Sequence, residues 1–214
     1  MIKILNLYAG IGGNRKLWKD VEVTAIENNE SIAKIYQQNY PNDKVIVTDA
    51  HKYLEENYET FDFIWASPPC PTHSRIRLMG VKNGSYKAKF PDMKLYEEII
   101  FLNHFFKGKW VVENVVSYYE PLIKPYLIDR HYFWSNFFIS EIKVSYGGDI
   151  KRGHARELAK IKGINISDYK LIDYRLDSAV RSYLDPEIGL HVFNCAFKEK
   201  QKQLIEKELK DNVR

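Results

Sequence analysis

Hydrophobic residues in the first half of the chain follow two kinds of pattern. Short apolar runs of three to eight residues predict strands, and the stretches 31–40 and 94–106 carry apolar side chains at helical spacing. Pro41 ends the first of these helices. Strands that alternate with helices predict an α/β fold, with a mainly parallel sheet and helices on both of its faces. The predicted strands are 2–9, 22–26, 44–48, 61–66 and 110–112.

The pattern is less regular in the rest of the chain. Residues 71–93 carry five basic side chains and two glycines, and they predict a long mobile loop of the kind that is functional or disordered in compact domains. Residues 132–139 are typical of a strand, 145–156 of a polar, basic loop and 197–209 of a C-terminal helix. With 214 residues, 45% of them hydrophobic, 1–214 is predicted to form a single domain.

Composition narrows the class of protein only a little. The formal net charge of +4 is compatible with nucleic-acid binding but does not require it. Cys70 and Cys195 form no Cys-x-x-Cys pair and the six histidines are scattered, so no metal site is predicted. The first residues lack the pattern of a signal peptide, and no segment has the length of a membrane span. We therefore expect a cytoplasmic protein, of a bacterial or phage-infected cell, in which a free thiol persists.

The residues of most chemical interest lie where the predicted strands end. Gly10 to Gly13, Glu27, Asp49, Cys70 and Glu113 each follow one strand. In parallel sheets, ligands bind at the carboxyl ends of the strands. These side chains are therefore expected to meet at one crevice.

Glycines follow the first of these strands. They let the backbone approach a ligand closely and turn tightly into a helix. Glu27 is placed to accept hydrogen bonds from both hydroxyls of a ribose, and Asp49 to reach an adenine amino group. The glycines have neither the spacing of a dinucleotide fingerprint nor the Gly-Lys-Ser/Thr of a P-loop.

The sequence Ser67-Pro68-Pro69-Cys70 follows the fourth strand. Two prolines hold the chain extended and can aim the next side chain into the crevice. A thiolate that adds to carbon 6 of cytosine makes carbon 5 nucleophilic enough to accept a methyl group, which is covalent catalysis. The charge that develops at ring N3 needs a proton donor, and Glu113 is placed to supply one.

Three motifs resemble those of one enzyme family and occur in its order. Residues 6–13 (NLYAGIGG), 67–70 (SPPC) and 113–115 (ENV) are similar to the cofactor loop, the Pro-Cys motif and the Glu-Asn-Val motif of DNA cytosine-5 methyltransferases. The resemblance covers roughly the first 116 residues. It implies the Rossmann-like fold of class I S-adenosylmethionine-dependent methyltransferases, S-adenosylmethionine as the cofactor and methylation of carbon 5 of cytosine in DNA.

The resemblance also implies roles for individual residues. Cys70 would be the nucleophile, with Glu113 and Asn114 as further catalytic residues. The implied cofactor-binding residues are Tyr8, Ala9, Gly10, Ile11, Gly12, Gly13, Glu27, Asn28, Asp49, Ala50 and Pro68. The implied substrate-binding residues are Pro69, Ser74, Arg75, Arg77 and Arg130. The expected partner is double-stranded DNA with a flipped cytosine, because a stacked base is out of reach of a thiol in a crevice.

The chain departs from the family pattern in three respects. Pro71 stands where the family has glutamine, and a Gln-x-Arg-x-Arg motif is not recognisable, so Arg130 and Arg181 are alternative replacements. The target-recognition region is missing or reduced to an insert at 140–173. A short target, a homodimer or a separate recognition subunit is therefore expected. The alternatives to DNA methylation are methylation of a free cytosine nucleotide or of RNA, and a catalytically inactive, cofactor-binding regulatory subunit.

Overall fold

The computed structural model describes residues 1–143, 157, 159–160, 162–164 and 174–197. Its strands are β1 Ile2–Leu7, β2 Val21–Ile26, β3 Lys44–Ile46, β4 Phe63–Ala66, β5 Lys109–Val115, β6 Tyr126–Ile128 and β7 His131–Ser135. Its α-helices in this part of the chain are α1 Glu30–Asn39, α2 Ala50–Asn57, α3 Arg75–Lys82, α4 Lys94–Phe105, α5 Tyr174–Arg181 and α6 Pro186–Phe197. None of the described helices is long and apolar enough to cross a membrane.

All seven strands form one sheet in the order β3-β2-β1-β4-β5-β7-β6. The strands from β3 to β5 are parallel to one another, and β7 runs antiparallel to both β5 and β6. The strand order reverses between β1 and β4, which is where open parallel sheets form their ligand crevice. The prediction of a mainly parallel α/β sheet is confirmed.

Alternating residues of the strands build two separate cores. One face carries Ile4, Trp65 and Val111, packed with Trp18 and helix α6. The other face carries Leu5, Ile64 and Val112 beneath helices α2 and α4, and this alternation follows from the period of two along a strand. Helices cover both faces, as predicted.

The chain that follows β1 differs from the prediction. The glycines do not turn into a helix, because residues 14–20 form turns and bends with no regular element. Helix α6 packs against this segment, and its Phe193 stacks on Trp18 with ring centroids 5.3 Å apart. The indole Nε1 of Trp18 donates to the carbonyl of Gly189 at 3.2 Å. Neither α6 nor its packing against the start of the chain was predicted.

The interpretation of 71–93 as a loop is wrong in its first half. Helix α3 begins there, and the hydroxyl of Ser74 caps it by accepting a hydrogen bond from the Arg77 amide at 3.2 Å. The predicted strand at 132–139 corresponds to β7, which pairs with an unpredicted β6. The predicted loop at 145–156, most of the insert at 140–173 and the predicted helix beyond Phe197 lie outside the described residues.

Candidate active site

The ends of β1, β2, β4 and β5 bring the predicted residues to one edge of the sheet. The last residue of β4, Ala66, pairs with Val112, so β5 continues past β4 by three residues. Glu113 and Asn114 therefore belong to the strand, where β7 pairs with them, and do not follow it as predicted. They lie beside the segment that leads from β4 to Cys70.

The loop after β1 is open at one glycine and tightly packed at another. Gly10 and Gly12 have φ angles of +56° and +80°, in the left-handed region that glycine adopts without strain. A Cβ at Gly10 would have no atom within 4 Å, so a ligand can approach the backbone there. A Cβ at Gly12 would collide with the rings of Tyr36 and Tyr40.

The side chains of this loop are mostly turned inward. Ala9 and Ile11 are 7% and 2% exposed and belong to small apolar clusters, so a ligand would meet their backbone only. Gly13 lies against the backbone of Leu184, just before α6. Tyr8 is half-buried, and its hydroxyl donates a hydrogen bond to Glu98.

Glu27 links the glycine loop to the end of β2. Its Oε2 accepts a hydrogen bond from the Gly10 amide at 3.0 Å, and its Oε1 accepts one from the Asn29 amide at 2.9 Å. Burial raises the pKa of Glu27, while these backbone donors act in the opposite direction. A carboxylate offers about four acceptor positions, so Glu27 can still receive ribose hydroxyls. Asn28, the next residue, is exposed.

Asp49 and Ala50 begin helix α2. The Oδ1 of Asp49 caps the helix by accepting from the Lys52 amide at 2.9 Å, and this hydrogen bond lowers the pKa of Asp49. Its carboxylate remains exposed, whereas Ala50 is buried. Asp49 is thus an accessible, charged acceptor two strands away from the glycine loop.

The Pro-Pro-Cys segment is fixed to the neighbouring strand. The Nδ2 of the buried Asn114 donates to the carbonyl of Pro68 at 2.8 Å. The carbonyl of Cys70 accepts from the amides of His73 and Ser74 at 3.0 and 3.1 Å, which closes a turn leading into α3. Asn114 therefore positions the segment that carries Cys70.

The thiol of Cys70 lies close to the carboxyl group of Glu113. Burial raises the pKa of Cys70 to about 11, and the negative charge of Glu113 adds to that effect. The resting thiol is therefore protonated at neutral pH. Glu113 itself is largely buried, with 12% of its side chain exposed.

His131 is a site residue that the sequence did not indicate. It lies on β7, diagonally across from Glu113 on the same face of the sheet, and its Nε2 is 3.9 Å from Glu113 Oε1. Its Nδ1 is buried without a hydrogen-bond partner. The only sequence signal for it is Asp129, a turn residue that lies two positions before His131 and leads into β7.

The predicted substrate-binding residues lie around Cys70 and Glu113, and their side chains differ in how exposed they are. Pro69 is exposed beside Cys70. Arg75 Nε donates to the carbonyl of Ser117 at 3.4 Å, and Arg77 Nε donates to the carbonyl of Pro71 at 3.2 Å, so both guanidinium groups brace the segment around α3. Arg130 lies in the turn before β7, where its side chain is 70% exposed and contacts Asp129 at 3.4 Å. The imidazole of His131 reaches Glu113 from the neighbouring strand, with Nε2 3.9 Å from Oε1.

Residues 2–118 match the family model described as C-5 cytosine-specific DNA methylase, which is more than half of the chain. The chain belongs to this family. Two relatives are the human and mouse proteins named tRNA (cytosine(38)-C(5))-methyltransferase. The human protein is 28% identical over 96 residues, which cover 42% of this chain and 25% of the relative. The mouse protein is 29% identical over 86 residues, which cover 37% and 21%.

The chain spans about a quarter of the length of these curated relatives. Among solved structures, the methyltransferase EhMeth of Entamoeba histolytica matches with a TM-score of 0.59 over 92% of this chain and 98% of that one. At 12% identity, this similarity supports the fold alone.

As in the rest of the family, the cofactor is S-adenosylmethionine. The described residues fit it, because Gly10 leaves open space at its backbone and the carboxylates of Glu27 and Asp49 stand at neighbouring strand ends.

Proposed function

We propose that this chain transfers a methyl group from S-adenosylmethionine to carbon 5 of a cytosine in DNA, with Cys70 as the nucleophile and Glu113 as its acid partner. The observation that carries the proposal is the placement of Cys70. Asn114 of β5 holds the segment before it by the 2.8 Å hydrogen bond to Pro68, and the adjacent residue of β5 is Glu113.

The covalent chemistry follows from the two side chains. Cys70 loses its proton to water, and its sulfur forms a bond to cytosine C6 while the ring electrons move toward C5 and N3. Glu113 in its acid form donates a hydrogen bond or proton to N3, which stabilises that charge. The cofactor, when bound, supplies the methyl group for C5. Loss of the C5 proton to water, return of the N3 proton to Glu113 and expulsion of the Cys70 thiolate then restore the aromatic ring.

A proton on Glu113 assists two parts of this reaction, the charge that develops at N3 and the ionisation of Cys70. It is available to N3, and it removes the negative charge that helps to raise the pKa of Cys70. Binding a cytosine against a protonated Glu113 would therefore favour the thiolate in the same step.

In the family, the arginines of the Gln-x-Arg-x-Arg motif help to hold the cytosine and its phosphate. We further propose that His131 takes part of this role. Its imidazole faces Glu113 at 3.9 Å, and a small shift on substrate binding would bring the pair to hydrogen-bond distance. The unpartnered Nδ1 is a second polar atom at the same position. Arg130, one of the two arginines considered as replacements, is directed to the exposed side of the turn.

The surface around Cys70 is suited to a nucleic acid. Residues 75–90 combine basic side chains with exposed apolar ones, among them Ile76, Met79 and Phe90, which are 73%, 66% and 95% exposed. Basic groups bind phosphates, and apolar side chains pack against unstacked bases. The family description favours DNA, whereas the named relatives favour an RNA cytosine as the second candidate.

The experiment compares duplex DNA, transfer RNA and dCMP as acceptors of radiolabelled methyl groups, followed by bisulfite sequencing of the modified nucleic acid. DNA labelled at cytosine C5 is the expected result. Labelling of transfer RNA alone would replace DNA by RNA as the substrate, and labelling of dCMP alone would exclude both.

Duplex DNA that carries 5-fluorocytosine provides the test of the nucleophile. It should form a denaturation-resistant adduct with the chain and none with Cys70→Ala, because the fluorine cannot leave as the proton does. Cofactor binding without an adduct on any nucleic acid would indicate an inactive regulatory subunit. An adduct with Cys70→Ala would place the nucleophile elsewhere.

A further inference from the structure

A buried carboxyl group beneath the cofactor loop is left unexplained by the methyl-transfer chemistry. Glu98 lies on helix α4 with its side chain fully buried. Its Oε1 accepts hydrogen bonds from Tyr8 and, at 2.9 Å, from His51 Nδ1, and its Oε2 is buried without a partner. A buried carboxyl group is costly, so two polar partners converging on one oxygen require a reason beyond packing.

The first partner belongs to the loop that follows β1. Tyr8 has a φ of +56°, the left-handed conformation that residues other than glycine rarely adopt. Such a conformation persists where the surroundings hold it in place, and it is concentrated at functional sites. The hydrogen bond from the Tyr8 hydroxyl to Glu98 holds Tyr8 in place, and it joins two residues that are 90 positions apart in the sequence.

The second partner belongs to the first turn of α2. His51 follows Asp49 and Ala50 directly, and its Nε2 lies 3.5 Å from Glu97, the neighbour of Glu98 on α4. Its imidazole therefore bridges two carboxyl groups of α4. Through His51, the start of α2 is fixed to the same side chain that fixes Tyr8.

We propose that Glu98 is a positioning residue for S-adenosylmethionine, which keeps the glycine loop after β1 and the Asp49 end of α2 at a fixed separation. The two parts of the cofactor site lie on β1 and β3, which are not adjacent in the sheet. Glu98 joins them through its hydrogen bonds with Tyr8 and His51, and its own side chain is fully buried. The proposal depends on the cofactor and is independent of which nucleic acid is methylated.

The test measures the Kd of S-adenosylmethionine and of S-adenosylhomocysteine by calorimetry on the whole chain. Tyr8→Phe removes only the hydroxyl and should weaken both ligands by about tenfold, the usual effect of losing a hydrogen bond to a charged group. Glu98→Leu should weaken them at least as much. Glu98→Gln keeps an acceptor oxygen and should recover most of the affinity. The double variant Tyr8→Phe/Glu98→Leu should bind no more weakly than Glu98→Leu, because one interaction is lost in both.

Tyr96→Phe is the matched control, since it removes a hydroxyl from a buried side chain of the same helix, where that hydroxyl contacts the Leu122 amide. It should leave the Kd unchanged. Steady-state kinetics should show a raised KM for the cofactor in Tyr8→Phe with kcat retained. An unchanged Kd in Tyr8→Phe, with the unmodified chain binding normally, would overturn this proposal alone. Absence of cofactor binding by the unmodified chain would overturn the proposed function as well.

Discussion

At the scale of single residues, Cys70, the proposed nucleophile, is held in its unreactive form. Its thiol is partly buried, and both burial and the charge of Glu113 raise its pKa, to about 11. A nucleophilic cysteine needs its thiolate, so the free protein keeps the thiol inert until a substrate changes the surroundings. The same environment should protect Cys70 from alkylation and oxidation.

This environment can be measured by alkylation with iodoacetamide. In a Cys195→Ala background, Cys70 should react more slowly at pH 8 than a free cysteine, and the rate should keep rising toward pH 10 to 11. Glu113→Gln removes the negative charge, so it should lower the pKa of Cys70 and speed the reaction several-fold at pH 8. Equal or slower alkylation of the glutamine variant would show that the charge of Glu113 does not act on Cys70.

His131 gives a second residue-scale prediction. His131→Ala should lower the single-turnover rate roughly 2- to 12-fold, the effect of losing about 0.5–1.5 kcal/mol of hydrogen bonding. His131→Arg should retain more of the rate, because a guanidinium group can also donate a hydrogen bond to Glu113. Leu127→Ala, at an exposed position on β6, is the control for damage to the sheet. Wild-type turnover by His131→Ala would make the imidazole structural.

The sequence was sufficient to predict that Cys70 and Glu113 share one edge of the sheet, but it did not indicate His131. The first two follow buried runs of parallel strands, and their spacing along the chain indicates which edge of the sheet they share. His131 precedes its strand's apolar residues and faces Glu113 only because β7 pairs antiparallel with β5 in one particular register. Registers between distant strands are not encoded in a local pattern.

At the scale of elements, α3 is a helix that the hydrophobic pattern of its sequence does not predict. The hydrophobic residues Ile76 and Met79 are exposed, and Gly80 is the buried residue of this helix. An amphipathic stripe therefore never forms, and the basic and glycine-rich composition resembles a loop. The capping serine was the available signal, since Ser74 precedes the helix directly.

The contact between α2 and α4 predicts a pH dependence of stability. The hydrogen bond to Glu98 raises the pKa of His51, and burial raises the pKa of Glu98. A raised pKa means that the folded state binds the proton more tightly. The stabilisation from His51 is therefore complete below its ordinary pKa of about 6.5 and is lost as the pH rises through the raised value. The shift of Glu98 acts in the same direction.

Urea denaturation at pH 6.0 and 8.5 should show this loss as a lower midpoint at the higher pH. His51→Gln should make the two midpoints more similar, because glutamine does not titrate. His104→Gln, which changes an exposed histidine of α4, should preserve the wild-type difference. If His51→Gln preserves it too, His51 is not its source.

At the scale of the whole molecule, the alternation of strands and helices predicted the sheet, but it predicted neither α6 nor the irregular segment that follows the glycines. Helix α6 has a recognisable beginning, in which Asp185 caps the Glu187 amide at 2.8 Å and Pro186 takes the first helical position. What no local pattern shows is its place on the face beside β1. Its docking leaves room only for glycine at Gly189, where a Cβ would lie 2.5 Å from the carbonyl oxygen of Asn14.

This docking makes α6 part of the core and connects it, through Leu184, to the proposed cofactor loop. Phe193 is 8% exposed and contacts the rings of Trp18 and Phe63, so Phe193→Ala should lower the free energy of unfolding by about 3–5 kcal/mol. Because Gly13 packs against Leu184 just before α6, the same variant should also weaken cofactor binding. Phe105→Ala on α4, where the ring is 57% exposed, is the control and should cost much less. Similar urea midpoints for the two variants would show that α6 contributes little to the core. A large loss of stability with unchanged cofactor affinity would instead separate its structural role from the glycine loop.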